Sequence, residues 1–194
     1  MNLLVFIIVK LLHRFELIFS SRYIKQFNCA GKGIFIGREV KIEHPEHITI
    51  GDSVYLNDYL WISIIDDLKN KTNVLNTSKL CIGNNSYIGR FGTIAVNGKV
   101  VIGNDVLISD RVFIGASSHG FDRVDIPIRL QKMSTQGGVF IGDGTWVGIN
   151  ASILQNVTIG KNCVVGANSV VTRDVPDYSV VLGSPARVVR IIEP

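Results

Sequence analysis

The sequence is poor in the residues that staple or anchor small proteins. Only three of 194 residues are cysteine (Cys29, Cys81, Cys163), too scattered for a disulfide framework, and no CxxC pair is present to hold a metal. A reducing compartment suits that usage. No basic run reaches five residues, so the formal charge of +4 points to mild affinity for anionic ligands and away from nucleic acid. No stretch offers the ~20 consecutive apolar residues of a bilayer-spanning helix. The apolar start, Met1 to Val9, is soon broken by Lys10, His13, Arg14 and Glu16. A secretory signal is missing both its leading positive charge and its A-x-A cleavage site. Charged residues are also few, 19% against 46% apolar, which excludes intrinsic disorder and leaves one well-filled domain with a short appendage.

That appendage is the first 30 residues. At 100° per residue Lys10, His13, Arg14 and Ser21 share one face opposite a wide Leu/Ile/Phe surface, the pattern of an amphipathic helix. Such a helix packs against the body or a neighbouring subunit, or lies in a membrane interface through residues 1–20.

What the chain does have is glycine, 19 residues of it, and the excess is periodic. Ile82, Ile88 and Ile94, then Ile102, Ile108 and Ile114, then Ile141, Val147, Ile153, Ile159, Val165 and Val171 recur every six residues within each group. The next position is glycine in eight of these twelve units, and the fifth is small or β-branched, as in Ser86, Val106, Ser118, Thr145, Ala151, Cys163 and Ser169. Six residues make one short flat strand and one tight corner, so three units close a triangular coil of about 18 residues. The first and fifth positions point inward, and glycine at the second suits a turn because it tolerates φ > 0. Stacked coils pair at about 4.8 Å, so stability is roughly a nearest-neighbour sum and the ends need covering.

The repeat breaks in three places: the polar run Asp66–Asn76, a two-residue excess at Asn97-Gly98, and His119–Gly138. Long loops in a regular solenoid carry function, because the scaffold needs none of them. Beyond Val171 come Pro176 and Pro185, which are expected to stop further coiling.

The run IGDGTWVG (141–148), continuing through VTIGKNCVVGANSVVTRDVPDYSVVLGSPARVV, resembles the hexapeptide-repeat, acetyl-CoA-dependent acetyltransferases. With Ile88–Phe91 (IGRF) and Ser118-His119-Gly120, it is similar above all to the branch that O-acetylates sugars and polysaccharides in lipopolysaccharide and capsule assembly. The resemblance implies an all-β, left-handed parallel β-helix over residues 31–182, with residues 119–138 extruded and residues 183–194 as an extended C-terminal tail. It implies acetyl-CoA as co-substrate, no metal, and a homotrimer with active sites between subunits. The setting expected is cytoplasmic, or at the inner face of the membrane.

The same resemblance distributes the roles. His119 is the expected general base, since imidazole is suited to taking a hydroxyl proton near neutral pH. Trp146, Ala167, Thr172, Arg173, Arg187 and Arg190 fall where the family binds the donor, and guanidinium groups suit its phosphates. Asn97 falls at an acceptor-contacting position, whereas the family's companion asparagine is Gly89 here. Asp122 joins Asn97 as an expected acceptor-binding residue, and either Asp122 or a backbone carbonyl is left to orient His119. N-acetylation of an amino sugar, antibiotic acetylation and a non-catalytic binding scaffold remain open alternatives. A zinc carbonic-anhydrase-like trimer does not fit the spacing of His13, His44, His47 and His119.

Overall fold

A computed structural model describes residues 22–64, 79–134 and 137–193. The expected amphipathic helix before residue 22 and the polar run 66–76 lie outside the described residues. Short parallel strands wind through six coils with three strands each. The first coil holds β1 (Cys29–Ala30), β2 (Phe35–Ile36) and β3 (Lys41–Ile42), and the second β4 (Ile48–Ile50), β5 (Tyr55–Leu56) and β6 (Trp61–Ile64). The third holds β7 (Lys79–Ile82), β8 (Tyr87–Ile88) and β9 (Thr93–Val96), and the fourth β10 (Lys99–Ile102), β11 (Leu107–Ile108) and β12 (Phe113–Gly115). A hairpin of β13 (Ser118–His119) and β14 (Met133–Ser134) then leaves the coil. The fifth coil holds β15 (Val139–Ile141), β16 (Trp146–Val147) and β17 (Ser152–Ile153), and the sixth β18 (Val157–Ile159), β19 (Val164–Val165) and β20 (Val170–Val171). Last come β21 (Ser179–Gly183) and β22 (Ala186–Ile191).

The first, second and third strands of successive coils stack into three sheets, faces one, two and three of a prism. Register fixes what fills it. Ile82, Ile102, Ile141 and Ile159 align on face one, and Ile88, Ile108, Val147 and Val165 on face two. Ile94, Ile114, Ile153 and Val171 align on face three. All twelve are at most 2% exposed, as the six-residue period requires. Burying one such side chain contributes about 1.5–3 kcal/mol, so these columns dominate the stability of the fold. This is the left-handed parallel β-helix architecture.

Three details differ from the sequence reading. The glycines at the second repeat position do not adopt positive φ; that conformation falls two residues later, at Asn85, Phe91, Asp105, Arg111, Asn150, Asn162 and Asn168. Glycine is required instead by close approach: a Cβ on Gly83 would lie 2.6 Å from the carbonyl carbon of Gly103, and one on Gly142 2.6 Å from that of Gly160. The space is filled by a ladder between coils. Backbone N–H groups of Lys32, Asp52, Asn84 and Asn104 donate to side-chain Oδ1 of Asp52, Asn84, Asn104 and Asp143 at 2.7–2.9 Å. Second, Ser118 does not face the interior, because the chain leaves the coil after Ala116 and Ser118 pairs with Ser134 in the hairpin. Third, coiling continues past Pro176. Val175 bridges Ile159 and β21 pairs with β19, so the chain turns back only beyond Gly183, where β22 runs antiparallel to β21 and covers the end of face two.

Candidate functional site

Two edges of the prism turn in four residues at each of the six coils, for example Gly83–Ser86 and Gly89–Gly92. Every insertion among the described residues falls on the remaining edge, between faces three and one. There the connections that break the six-residue spacing are Glu43–His47, Asn97-Gly98 and residues 116–138, while residues 154–156 keep it. His119 is therefore held by a device separate from the walls. It is exposed, its backbone pairs with Met133, and Gly120 N–H donates to the Lys132 carbonyl at 3.0 Å.

The loop beyond His119 has its own clasp. Gln131 Nε2 donates to the carbonyls of Arg123 (2.6 Å) and Ile126 (3.2 Å), and its Oε1 accepts from Arg123 N–H. Arg123 also pairs with Asp125, and Ile128–Leu130 form a 3-10 turn. Asp122 is exposed and forms no hydrogen bond to His119, whose ring nitrogens have no partner among the described residues. Among the described residues neither Asp122 nor a backbone carbonyl engages the imidazole.

Asn97 lies below the root of this loop. A Cβ on the adjacent Gly98 would sit 3.3 Å from the Gly137 carbonyl oxygen and 4.0 Å from that of Ala116. Asn97 is 1% exposed, and among the described residues both its amide atoms lack a partner, as does Oε1 of Gln155. Its side chain is closed off from solvent in the isolated chain.

The expected donor residues separate into two groups. Thr172 and Arg173 are exposed on the His119 edge, two coils farther along, about 10 Å at the inter-strand spacing. Trp146 instead stands outward on face two, 48% exposed, and Ala167 is on the edge between faces two and three. Arg187 and Arg190 are on β22, opposite Leu182 and Val180. One chain does not bring His119 and Trp146 onto the same edge.

Two features escaped the sequence reading. One is the Asn/Asp ladder, visible in sequence only as an acidic or amide residue after the repeat glycine. The other is a hydrogen bond from Trp146 Nε1–H to Ser109 Oγ, 3.1 Å across 37 residues. Cys163 is buried, and that burial pushes its thiol up, consistent with its expected core position. Among the described residues no group of three His, Cys, Asp or Glu is placed to hold a metal ion, and no helix is long and apolar enough to cross a membrane.

Residues 138–173 match the family model for the bacterial transferase hexapeptide, which spans six repeats. Over those residues the chain carries the bacterial transferase hexapeptide repeat. Its similarity to a probable acetyltransferase of Mycobacterium tuberculosis is 34% identity over 160 residues, covering 81% of this chain and 49% of that protein. Against the polysialic acid O-acetyltransferase of Escherichia coli it is 38% over 133 residues, 67% of this chain and 43% of the other. This hexapeptide-repeat chain thus spans about half the length of the curated relatives it matches. Among solved structures it resembles AntD, an N-acyltransferase from Bacillus cereus in complex with dTDP and 3-hydroxybutyryl-CoA. The TM-score is 0.74 with 24% identity, covering 90% of this chain and 88% of that one, a likeness of fold.

Proposed function

We propose that the chain transfers an acetyl group from acetyl-CoA to a hydroxyl of a sugar or polysaccharide precursor, with His119 as general base. The observation that carries this reading is the exposed imidazole on a hairpin ejected from an otherwise continuous coil, on the edge that also bears Thr172 and Arg173. The named O-acetyltransferase among the relatives favours oxygen over nitrogen as the acceptor atom.

Neutral imidazole takes the hydroxyl proton as the acceptor oxygen attacks the thioester carbonyl. The tetrahedral adduct collapses with loss of the CoA thiolate, which recovers the proton from the imidazolium. No acyl-enzyme is needed. Trp146 and Ala167 would flank the donor's pantetheine arm, and Arg173, Arg187 and Arg190 would meet its phosphates. His119 lies on the edge between faces three and one and Trp146 on face two of one prism, which supports a site shared between copies of the chain in a trimer.

The test is free-thiol release from acetyl-CoA over a panel of sugars, oligosaccharides, amino sugars and acetylatable antibiotics. Loss of about 10²–10⁴ in turnover by His119→Ala, with acetyl-CoA binding kept, is the expected result. An unchanged rate removes His119 as the base, and turnover confined to amino sugars moves the reaction to nitrogen. If acetyl-CoA is neither bound nor turned over, the scaffold reading takes its place.

A further inference from the structure

On the edge between faces two and three, the first turn residue of each coil is Gly37, Asn57, Gly89, Ser109, Gly148 and Gly166. This column is sterically tight. A Cβ on Gly89 would lie 2.5 Å from the Ser109 carbonyl carbon, and one on Gly148 2.7 Å from Ala167 N. Two positions nevertheless carry side chains here, each with a compensating contact: Asn57 donates to the Ile88 carbonyl at 2.7 Å, and half-buried Ser109 accepts the Trp146 indole N–H at its Oγ. A residue that departs from the rule of its own column calls for such a contact, and for Ser109 the indole supplies it.

The geometry also sets a direction. Trp146 is on the fifth coil, beside Leu107 below and Val164 above. Its N–H reaches back to Ser109 on the fourth coil, which fixes the indole to one rotamer. An unrestrained tryptophan that is 48% exposed would sample other rotamers, including ones lying over the edge at Gly148 and Ala167.

We propose that Ser109 is a positioning residue for the donor: its hydroxyl tethers the Trp146 indole toward the fourth coil and keeps the edge at Gly148 and Ala167 open to the pantetheine arm. The inference rests on the reading of Trp146 as part of the donor site. It adds a residue that neither the repeat nor the donor motif contains, and it gives Trp146 a required orientation.

Calorimetric titration of the full chain with acetyl-CoA tests it. Ser109→Ala should weaken binding about three- to tenfold, the loss of one neutral hydrogen bond. Trp146→Phe should weaken it as well, and the double variant should be no weaker than Trp146→Phe alone. Ser109→Gly, which restores the residue this edge otherwise favours, should fold and bind as poorly as Ser109→Ala. Ser109→Thr keeps the accepting oxygen and should recover affinity. In a Trp61→Phe background Trp146 is the remaining tryptophan, and its emission anisotropy should fall in Ser109→Ala and Ser109→Gly. Wild-type affinity in both variants, with Trp146→Phe weakened, overturns the positioning role and leaves the donor reading standing. Wild type that does not bind acetyl-CoA, or Trp146→Phe that binds as well as wild type, removes both.

Discussion

Two edges of the prism hold to four residues through all six coils, whereas the third ranges from the two residues of Asn97-Gly98 to the 23 of residues 116–138. The difference lies in what bonds one turn to the next. On the edge between faces one and two, each of the first four turns is tied to the next by a backbone N–H to Asn or Asp side-chain bond, above a glycine with no room for a Cβ. Arg38 N–H to Asp58 and Arg90 N–H to Asp110 repeat this on the edge between faces two and three, at 2.8 Å each. One added residue would break contacts both above and below. The third edge has no continuous ladder of this kind among the described residues. An insertion there costs mainly loop closure, which rises by only about 0.6 kcal/mol per doubling of length. Variation, and with it the candidate chemistry, collects where stacking does not forbid it.

The sharpest way to break this contrast is to make the third edge regular. Val100 pairs with Val139 and Ala95 with Gly115, so residues 117–137 replaced by Asn-Gly would copy the connection one coil below. Turnover should fall by about 10²–10⁴ with loss of His119, while Tm moves by only a few degrees. Unfolding of this variant would show that the loop supports the walls. Next in size is Ile159→Ala, in the inward column, which should cost about 2–5 kcal/mol in urea unfolding. Wild-type stability there would refute the inward frame.

Gly83→Ala, on a laddered edge, should cost about 1–3 kcal/mol by forcing the backbone of the next coil aside. The same change at Gly98, where a Cβ meets nothing closer than 3.3 Å, should cost distinctly less. Equal losses would erase the distinction between edges. The smallest effect belongs to Asp110→Asn, which keeps the ladder oxygen but removes the charge. The hydrogen bond and charge of the Arg90 guanidinium hold the Asp110 carboxyl below its ordinary value. A carboxyl depressed in the folded state stabilises above its unfolded pKa, near 4, and loses that contribution as pH falls through the folded value. This largely exposed pair should move Tm by no more than about 2 °C at pH 7. The gap between wild type and variant should close below pH ~4; a gap that widens in acid would reverse the assignment.

Much of the fold was legible because the inward positions obey a local rule. Ile82 is followed by the same choice six residues later at Ile88 and again at Ile94, and burial follows from the triangular coil without knowledge of partners. The His119 loop was legible as the longest break in that rule. Less visible was why glycine follows the aliphatic residue. Turn chemistry suggested positive φ, but the decisive contact is with a residue about 20 positions away, as between Gly83 and Gly103. Ser118 fitted the repeat by spacing alone, yet the hairpin pairing of His119 with Met133 takes it out of the wall.

The sequence by itself determined the period, the three inward columns and the place where the chain departs from them, because these depend on residue type and short spacing. Tertiary structure decided which edge is free to vary, that Asn97 is shut beneath the loop root, and that Ser109 holds Trp146. Those contacts join residues one or more coils apart, and their register depends on how inserted loops return to the stack. The ladder bond from Asn84 to Asn104 spans 20 residues and the next, from Asn104 to Asp143, spans 39 across the His119 loop. Both close on the same geometry, because backbone stacking sets the distance between coils whatever the length of chain thrown out between them.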